Sequence, residues 1–344
     1  MLPSINLLDP IISAFLARSK GEPKVSMQAR RRRRWWIWLP ICVCLAFFGI
    51  VFFFYFRRHS MLYHPRPYDP RYANVLPQDG VELHFRTLAG KQVAFYLPRG
   101  SDSHLPKRIW VAFCGNGSLA LDWTWLIAQD PQPSDGFLLI DYPGYGKSDG
   151  YATIATTRAA ADKALDALAN HLRVDESEIE SRLNLLGHSW GTAVALDFAT
   201  RHRTQHIILI AVFTTLREEA ATMVGTPLSY LLIENYDNRR ALRELSHRSP
   251  PPKIEIFHGT DDDTIPIRVS RELAENFPTI IKFHPVAGAD HVSVIGKVGQ
   301  RNSRGNEPVE GRFPTLSTKP NPLHKANPER RKETLWEEAF ICRR

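Results

Sequence analysis

Hydrophobic positions along this chain follow three regimes. Residues 35–56 are 22 consecutive positions without a formal charge, rich in Phe, Ile, Leu and Trp. As a helix they would extend for about 33 Å, the thickness of a bilayer's apolar interior. From Val81 onward, short apolar runs bounded by Gly, Pro and polar clusters alternate with stretches whose apolar residues recur at helical spacing. From about residue 297 the pattern dissolves into glycines, prolines and charges.

The middle regime predicts an α/β fold. Residues 81–86 and 92–97 read as an opening antiparallel pair joined near Gly90. Residues 109–113, 137–140, 183–186, 207–212, 254–257 and 280–284 read as further, compact strands. Ala160, Ala164, Leu165, Leu168 and Leu172 mark residues 154–172 as a helix packed on the sheet. Such alternation gives a mostly parallel twisted sheet with helices on both faces. Residues 214–250 are too long for an ordinary loop and carry apolar Met223, Leu228, Tyr230, Leu231 and Leu232, which predicts a short helical cap. Pro250-Pro251-Pro252 then return the chain to an extended course. The organisation expected is a basic segment at 1–34, an apolar span at 35–56, one large domain at 61–296 and a disordered tail at 297–344.

A net charge of +8 would suggest a polyanionic partner if it lay on the fold. It does not. Residues 1–60 hold 10 Lys/Arg and 2 Asp/Glu, residues 61–296 hold 23 and 28, and residues 297–344 hold 11 and 6. The large domain is mildly acidic, so nucleic acid is not an expected partner. Arg30 to Arg34 precede the apolar span, Arg57 and Arg58 follow it, and Trp35, Trp36 and Trp38 lie at one boundary. The positive-inside rule then puts the N-terminus in the cytoplasm and the large domain on the periplasmic, lumenal or extracellular side. No small-residue cleavage site follows the span, which reads as an uncleaved signal anchor. Cys42, Cys44, Cys114 and Cys342 show no spacing of a metal site or disulfide framework. Nothing in the pattern speaks to oligomeric state.

Candidate chemistry centres on Gly187-His188-Ser189-Trp190-Gly191, which lies between the apolar run 183–186 and an amphipathic stretch from Thr192. Strand, sharp turn and helix in that order form a nucleophile elbow, with glycines where the backbone crowds its neighbours. Ser189 is the candidate nucleophile. A serine hydroxyl needs a base, a group to orient that base, and donors for the oxyanion. In open α/β sheets functional groups gather beyond the carboxyl ends of strands. There lie Cys114-Gly115-Asn116-Gly117, Asp261-Asp262-Asp263 and His291, each after a predicted strand.

On these motifs the chain resembles the α/β-hydrolase superfamily, whose triad runs Ser, Asp, His. Within it, the chain is similar to the membrane-anchored Bem46-like and ABHD-like serine hydrolases. The similarity rests on the anchor followed by Met61-Leu62-Tyr63-His64-Pro65, the loop from Asp141 to Ser148, the elbow, and the stretch from His258 to Pro266, and it covers about residues 61–295. It implies Asp262 as the triad acid, His291 as general base and His258 as a structural residue. It also implies the backbone N–H groups of Trp190 and Asn116 as the oxyanion hole. Two departures stand out: Cys114 replaces the family's histidine before Gly115-Asn116, and Gly296, Gly299 and Gly305 follow where the family has an amphipathic closing helix.

The activity implied is hydrolysis of an ester or thioester at a membrane, with a lysolipid or acylglycerol as the lipid substrate. A small soluble ester or a peptide bond suits the same triad. The alternative is a catalytically silent scaffold that binds a ligand or partner. No cofactor is expected, and no metal, since no His/Asp ligand pair occurs at metal spacing.

Overall fold

The computed structural model describes residues 27–98, 105–127 and 134–298. Residues 1–26 and the tail from residue 299, Cys342 included, lie outside the described residues. The chain divides into two units, Met1–Phe56 and Arg57–Arg344.

The first helix, α1, runs over Met27–Leu62. Within it Trp38–Arg57 is 20 residues with mean hydropathy 2.5, none of it buried, and is long and apolar enough to cross a membrane. Leu45, Phe47, Phe48 and Phe52 are each at least 60% exposed. A helix apolar all round and left uncovered is costly in water, whereas in hydrocarbon it satisfies every backbone group internally.

The second unit is built on an eight-stranded sheet: β1 (Val81–Thr87), β2 (Gly90–Pro98), β3 (Arg108–Phe113), β4 (Asp135–Ile140), β5 (Leu183–His188), β6 (His206–Ile210), β7 (Lys253–Gly259) and β8 (Ile281–Val286). The spatial order is β1-β2-β4-β3-β5-β6-β7-β8. β2 is antiparallel to both its neighbours, and every other pairing is parallel. Around the sheet lie α2 (Thr124–Ile127), α3 (Ile154–Leu172), α4 (Glu176–Glu180), α5 (Trp190–Ala199), α6 (Leu216–Val224), α7 (Thr226–Ser229), α8 (Asn238–Ser246), α9 (Ile267–Asn276) and α10 (Ser293–Val298).

The continuous apolar runs explain this layering. Every residue of β4, β5 and β6 is buried, so both faces of the central sheet are covered, as parallel strands require. In α3 the buried stripe includes Ala160, Ala161, Ala164, Leu165 and Leu168, and Thr153 caps its start by accepting from the Thr156 N–H. The strand order reverses around β3, because β4 lies on one side of it and β5 on the other. Such a switch point opens a crevice at the carboxyl ends of the two strands. The loops after β3 and β5 flank it.

The segment after β6 is divided more finely than its composition predicts. A bridge between Thr215 and Asp237 closes the base of an insertion holding α6 and α7. α8, beyond that bridge, packs on α5. Met223, Tyr230 and Ile233 of the insertion are exposed. At the C-terminal end α10 forms despite Gly296, and the predicted disordered tail falls outside the described residues from 299 on.

At the end of β4, buried Asp141 fixes the glycine-rich loop that follows. Its carboxylate accepts from the Tyr68 hydroxyl (2.7 Å), the Ala120 N–H (3.1 Å) and the Lys147 N–H (3.1 Å). Burial pushes this carboxyl up to about 6, against the pull of those bonds. Gly146, at φ +56°, passes so close that a Cβ there would sit 2.2 Å from the carboxylate.

Three neighbouring strands are tied by a buried carboxylate. Glu255 of β7 accepts from His206 Nε2 of β6 (3.0 Å) and from His284 Nε2 of β8 (2.9 Å). Burial alone would raise the Glu255 carboxyl, but the hydrogen bonds from the two histidines outweigh it and hold the group down from 4.5 to about 2. Because the folded value is depressed, its contribution is complete above pH 4.5 and is lost as the pH falls from there toward about 2. We expect Glu255→Gln to cost on the order of 2–3 kcal/mol at pH 7 and much less at pH 3. Thermal unfolding of the detergent-solubilised chain and variant at both pH values measures this. An equal gap at both would disprove the linkage.

Candidate active site

The elbow is held together by close backbone contact. Ser189 sits at φ 52°, ψ −119°, a conformation that costs a non-glycine residue about 1–3 kcal/mol. Its N–H donates to the Ile210 carbonyl (2.9 Å), and its own carbonyl accepts from the Thr192 N–H (3.0 Å) and hydroxyl (2.6 Å). A Cβ at Gly191 would lie 1.9 Å from the Phe113 carbonyl oxygen, and one at Gly187 would lie 2.5 Å from the Gly191 carbonyl oxygen. The two motif glycines therefore let α5 begin directly against the end of β3. Ser189 itself remains partly exposed.

The structure brings Ser189, His291 and Asp262 into one hydrogen-bonded line. Ser189 Oγ is 2.9 Å from His291 Nε2, and His291 Nδ1 is 2.8 Å from Asp262 Oδ2. An ionised carboxylate can only accept, so the imidazole proton belongs on Nδ1 and Nε2 is free to accept from the serine. The Asp262 side chain is fully buried, and its Oδ1 accepts from the Thr264 (3.0 Å) and Ile265 (2.9 Å) N–H groups. Burial opposes its charge, yet hydrogen bonds from His258 and His291 and from the Ile265 N–H hold the carboxyl well below the usual carboxylate range. Asp261 and Asp263, its neighbours, are exposed.

Two further histidines brace this line. His258 is fully buried, with Nδ1 at 2.6 Å from Ser270 Oγ and Nε2 at 2.7 Å from the Ile265 carbonyl and 3.2 Å from Asp262 Oδ2. It fixes the loop that carries Asp262. The loops of Asp262 and His291 are also joined directly, since the Asp261 N–H donates to the Ala289 carbonyl at 2.9 Å.

His188, which sequence reasoning passed over, donates from Nε2 to the backbone carbonyl of His291 at 2.9 Å. Burial, with His291 beside it, pulls its pKa down to about 3, so this ring stays neutral at working pH. The only available signal was a histidine directly before Ser189 in the elbow. Glu219 on α6 was also passed over. Burial pushes its carboxyl up to about 7, with His291 and Asp262 close enough to affect it.

Trp190 and Asn116 are the two residues expected to supply oxyanion donors. Trp190 is the first residue of α5, where the N–H groups have no intrahelical acceptor and the helix dipole favours negative charge. Asn116 follows β3 and is partly exposed. Gly115 beside it runs so close to the elbow that a Cβ there would lie 2.9 Å from His188 Nδ1. Cys114, standing where a histidine was expected, is buried and packed, and its carbonyl accepts from the Tyr142 hydroxyl (2.9 Å).

Among the described residues, Glu176, Glu180 and His202 form the one group whose ligand atoms lie close enough together to hold a metal, a grouping the spacing argument did not pick out. Both ring nitrogens of His202 are already engaged, Nδ1 with Glu180 (2.8 Å) and Nε2 with Asp162 (3.0 Å). The group is an ion-pair cluster, and none of its residues belongs to the Ser189 site.

Comparison with known proteins gives a consistent setting for this geometry. The sequence profile of the alpha/beta hydrolase family matches residues 111–288. An uncharacterised protein of Mycobacterium tuberculosis, Rv2307c, is 25% identical over 272 residues, spanning 74% of this chain and 88% of its own length. An alpha-beta hydrolase from Vibrio vulnificus superposes with TM-score 0.52 at 16% identity, covering 66% of this chain and 80% of its own. An esterase from Pyrococcus furiosus superposes with TM-score 0.51 at 14% identity, covering 70% and 93%. At these identities the structural likeness concerns the fold.

The tight elbow makes a direct prediction. Gly191→Ala forces apart the starts of α5 and the end of β3 and should cost about 3 kcal/mol, lowering the melting temperature by roughly 6–12 °C. Gly117→Ala, where a Cβ would meet nothing within 4 Å, should leave it unchanged within about 2 °C. Differential scanning fluorimetry compares the two, and equal tolerance at both positions would disprove the close-contact account.

Proposed function

The chain belongs to the alpha/beta hydrolase family, and from that premise we propose that it is a membrane-anchored serine hydrolase that cleaves an acyl ester or thioester. The observation that carries this reading is the unbroken line Ser189 Oγ, His291 Nε2, His291 Nδ1, Asp262 Oδ2, with its charged end buried.

In the proposed cycle, His291 Nε2 takes the Ser189 proton as the serine oxygen bonds to the substrate carbonyl carbon. Asp262 holds the Nδ1–H tautomer and balances the imidazolium charge. The tetrahedral oxyanion accepts from the backbone N–H groups of Trp190 and Asn116, each worth about 10²-fold or more in rate. Collapse breaks the bond to the leaving oxygen or sulfur, which receives the proton from His291. Water then attacks the acyl-enzyme with His291 as base, releasing the carboxylic acid and restoring Ser189.

The esterase from Pyrococcus furiosus favours ester chemistry among the reactions this geometry could perform. The similarity of the anchor, the Met61-to-Pro65 stretch and the Asp141 loop to the Bem46-like and ABHD-like hydrolases favours that subgroup. Anchoring rests on the apolar helix Trp38–Arg57, and the arginine excess on its N-terminal side supports a catalytic unit across the membrane from the cytoplasm. An acyl chain, as in a lysolipid or acylglycerol, suits a chain held at a bilayer whose insertion exposes Met223, Tyr230 and Ile233.

Two experiments test the proposal. A fluorophosphonate probe should label the wild type and not Ser189→Ala, while Asp262→Asn should lower kcat for a p-nitrophenyl ester by about 10³- to 10⁴-fold. An unlabelled but folded wild type would overturn the hydrolase reading. For acyl specificity, kcat/KM across p-nitrophenyl acetate to decanoate should climb roughly tenfold for every two methylenes up to the length the site buries. A preference for acetate would overturn the lipid substrate and leave a small ester.

A further inference from the structure

Residues 62–66 lie ahead of the family match, which begins at residue 111, yet they are built into the wall of the Ser189 site. Tyr63 is 3% exposed. Its ring meets Trp190 edge-on, centroids 5.0 Å apart, and its hydroxyl donates to Glu234 Oε2 (2.9 Å). The other Glu234 oxygen accepts from the N–H of Ile154, the first residue of α3 (2.9 Å). Arg66 Nε donates to the Gly117 carbonyl (3.0 Å), and its guanidinium pairs with buried Asp122. That carboxylate also accepts from the Leu119 N–H (2.8 Å) and the Tyr72 hydroxyl.

Asn116 is the centre of this arrangement. Its Nδ2 donates to the Leu62 carbonyl, while its Oδ1 accepts from the His64 N–H (3.3 Å) and the Tyr145 hydroxyl (2.9 Å). Tyr145 in turn accepts from the His64 N–H at 2.9 Å. The amide is therefore gripped at both ends, donor facing an acceptor and acceptor facing two donors, so it has one orientation. Three of the contacts that set the loop of Asn116 and Gly117 come from residues 62–66.

We propose that residues 62–66 are a positioning element for the oxyanion side of the active site. They fix the side chain of Asn116, and through it the backbone N–H that the serine-hydrolase reading, on which this inference rests, assigns to the oxyanion. A donor held for a tetrahedral intermediate works only in a preorganised place, and displacement by about 1 Å can cost as much as 10²-fold. Tyr63 on Trp190 braces the second donor from the same segment. The reaction thus depends on chain that lies outside the part matched by the family profile.

The test uses the full chain with three variants. Tyr145→Phe removes one hydroxyl and with it two links to Asn116 and His64. Asn116→Ala removes the gripped amide, and Arg66→Met removes the hold on Gly117. Turnover is expressed per active site titrated by fluorophosphonate, so that loss of folded protein does not count. Each variant should lower kcat about tenfold with KM unchanged, and should weaken inhibition by an alkyl trifluoromethyl ketone, whose adduct carries the oxyanion, by a similar factor. Tyr145→Phe combined with Asn116→Ala should be no worse than the worse single variant. Wild-type kcat and ketone inhibition in all three variants, with or without a lowered melting temperature, would overturn this inference and leave the hydrolase reading standing. A wild type that is folded but unlabelled at Ser189 would overturn both.

Discussion

No side chain fits at Gly191, because the Phe113 carbonyl oxygen occupies the place where a Cβ would be. Most of the site follows from that approach of α5 to the end of β3. It puts the N-terminus of a helix, whose first N–H groups lie at the positive end of its dipole, beside the loop that leaves β3. It forces Ser189 into a positive-φ turn that lifts its side chain out of the strand toward solvent. Gly187 and Gly115 are needed for the same reason, since each faces the elbow too closely for a Cβ. Strain at one residue is balanced by an over-determined backbone on all sides.

Around that contact the protein arranges buried polar groups so that each has one protonation state. Asp262 is charged because four donors converge on it from His258, His291 and the backbone of Thr264 and Ile265. His188 is neutral because burial, with His291 beside it, outweighs the pull of Asp262 toward the charged ring. A neutral ring there can donate to the His291 carbonyl without competing for the carboxylate. The imidazole of His291 is thereby held from its ring by Asp262 and from its backbone by His188, and its free nitrogen faces Ser189. Preorganisation of this kind costs stability elsewhere and is supplied by the wholly buried strands β4, β5 and β6.

The chain between the apolar helix and the sheet belongs to the same design. Tyr63, His64 and Arg66 spend their contacts on Trp190, Asn116 and Gly117, and Asp141 and Asp122 hold the surrounding loops with further buried acceptors. The side of the site that the proposed mechanism gives to the carbonyl oxygen is therefore assembled from four distant stretches of sequence, at 62–66, 116–122, 141–148 and the start of α5. The side holding His291 draws on the elbow again, through His188, and on the loops after β7 and β8.

The sequence alone determined the layering and the order of chemical groups, because period and punctuation are local properties. Apolar runs bounded by glycine and proline marked the strands, the Ala and Leu stripe marked α3 from first to last residue, and a charge-free run of 22 marked the apolar helix. Ser189 was legible because its strained turn demands flanking glycines. Asp262 was selected by resemblance and not by pattern, since three consecutive aspartates are equivalent until one is buried under Ile265 and His258 while its neighbours face solvent. His188 and residues 62–66 left no comparable mark. Their roles depend on which distant groups each one meets, and only the tertiary structure decides that, through hydrogen bonds and close contacts between residues as far apart in sequence as Tyr63 and Glu234.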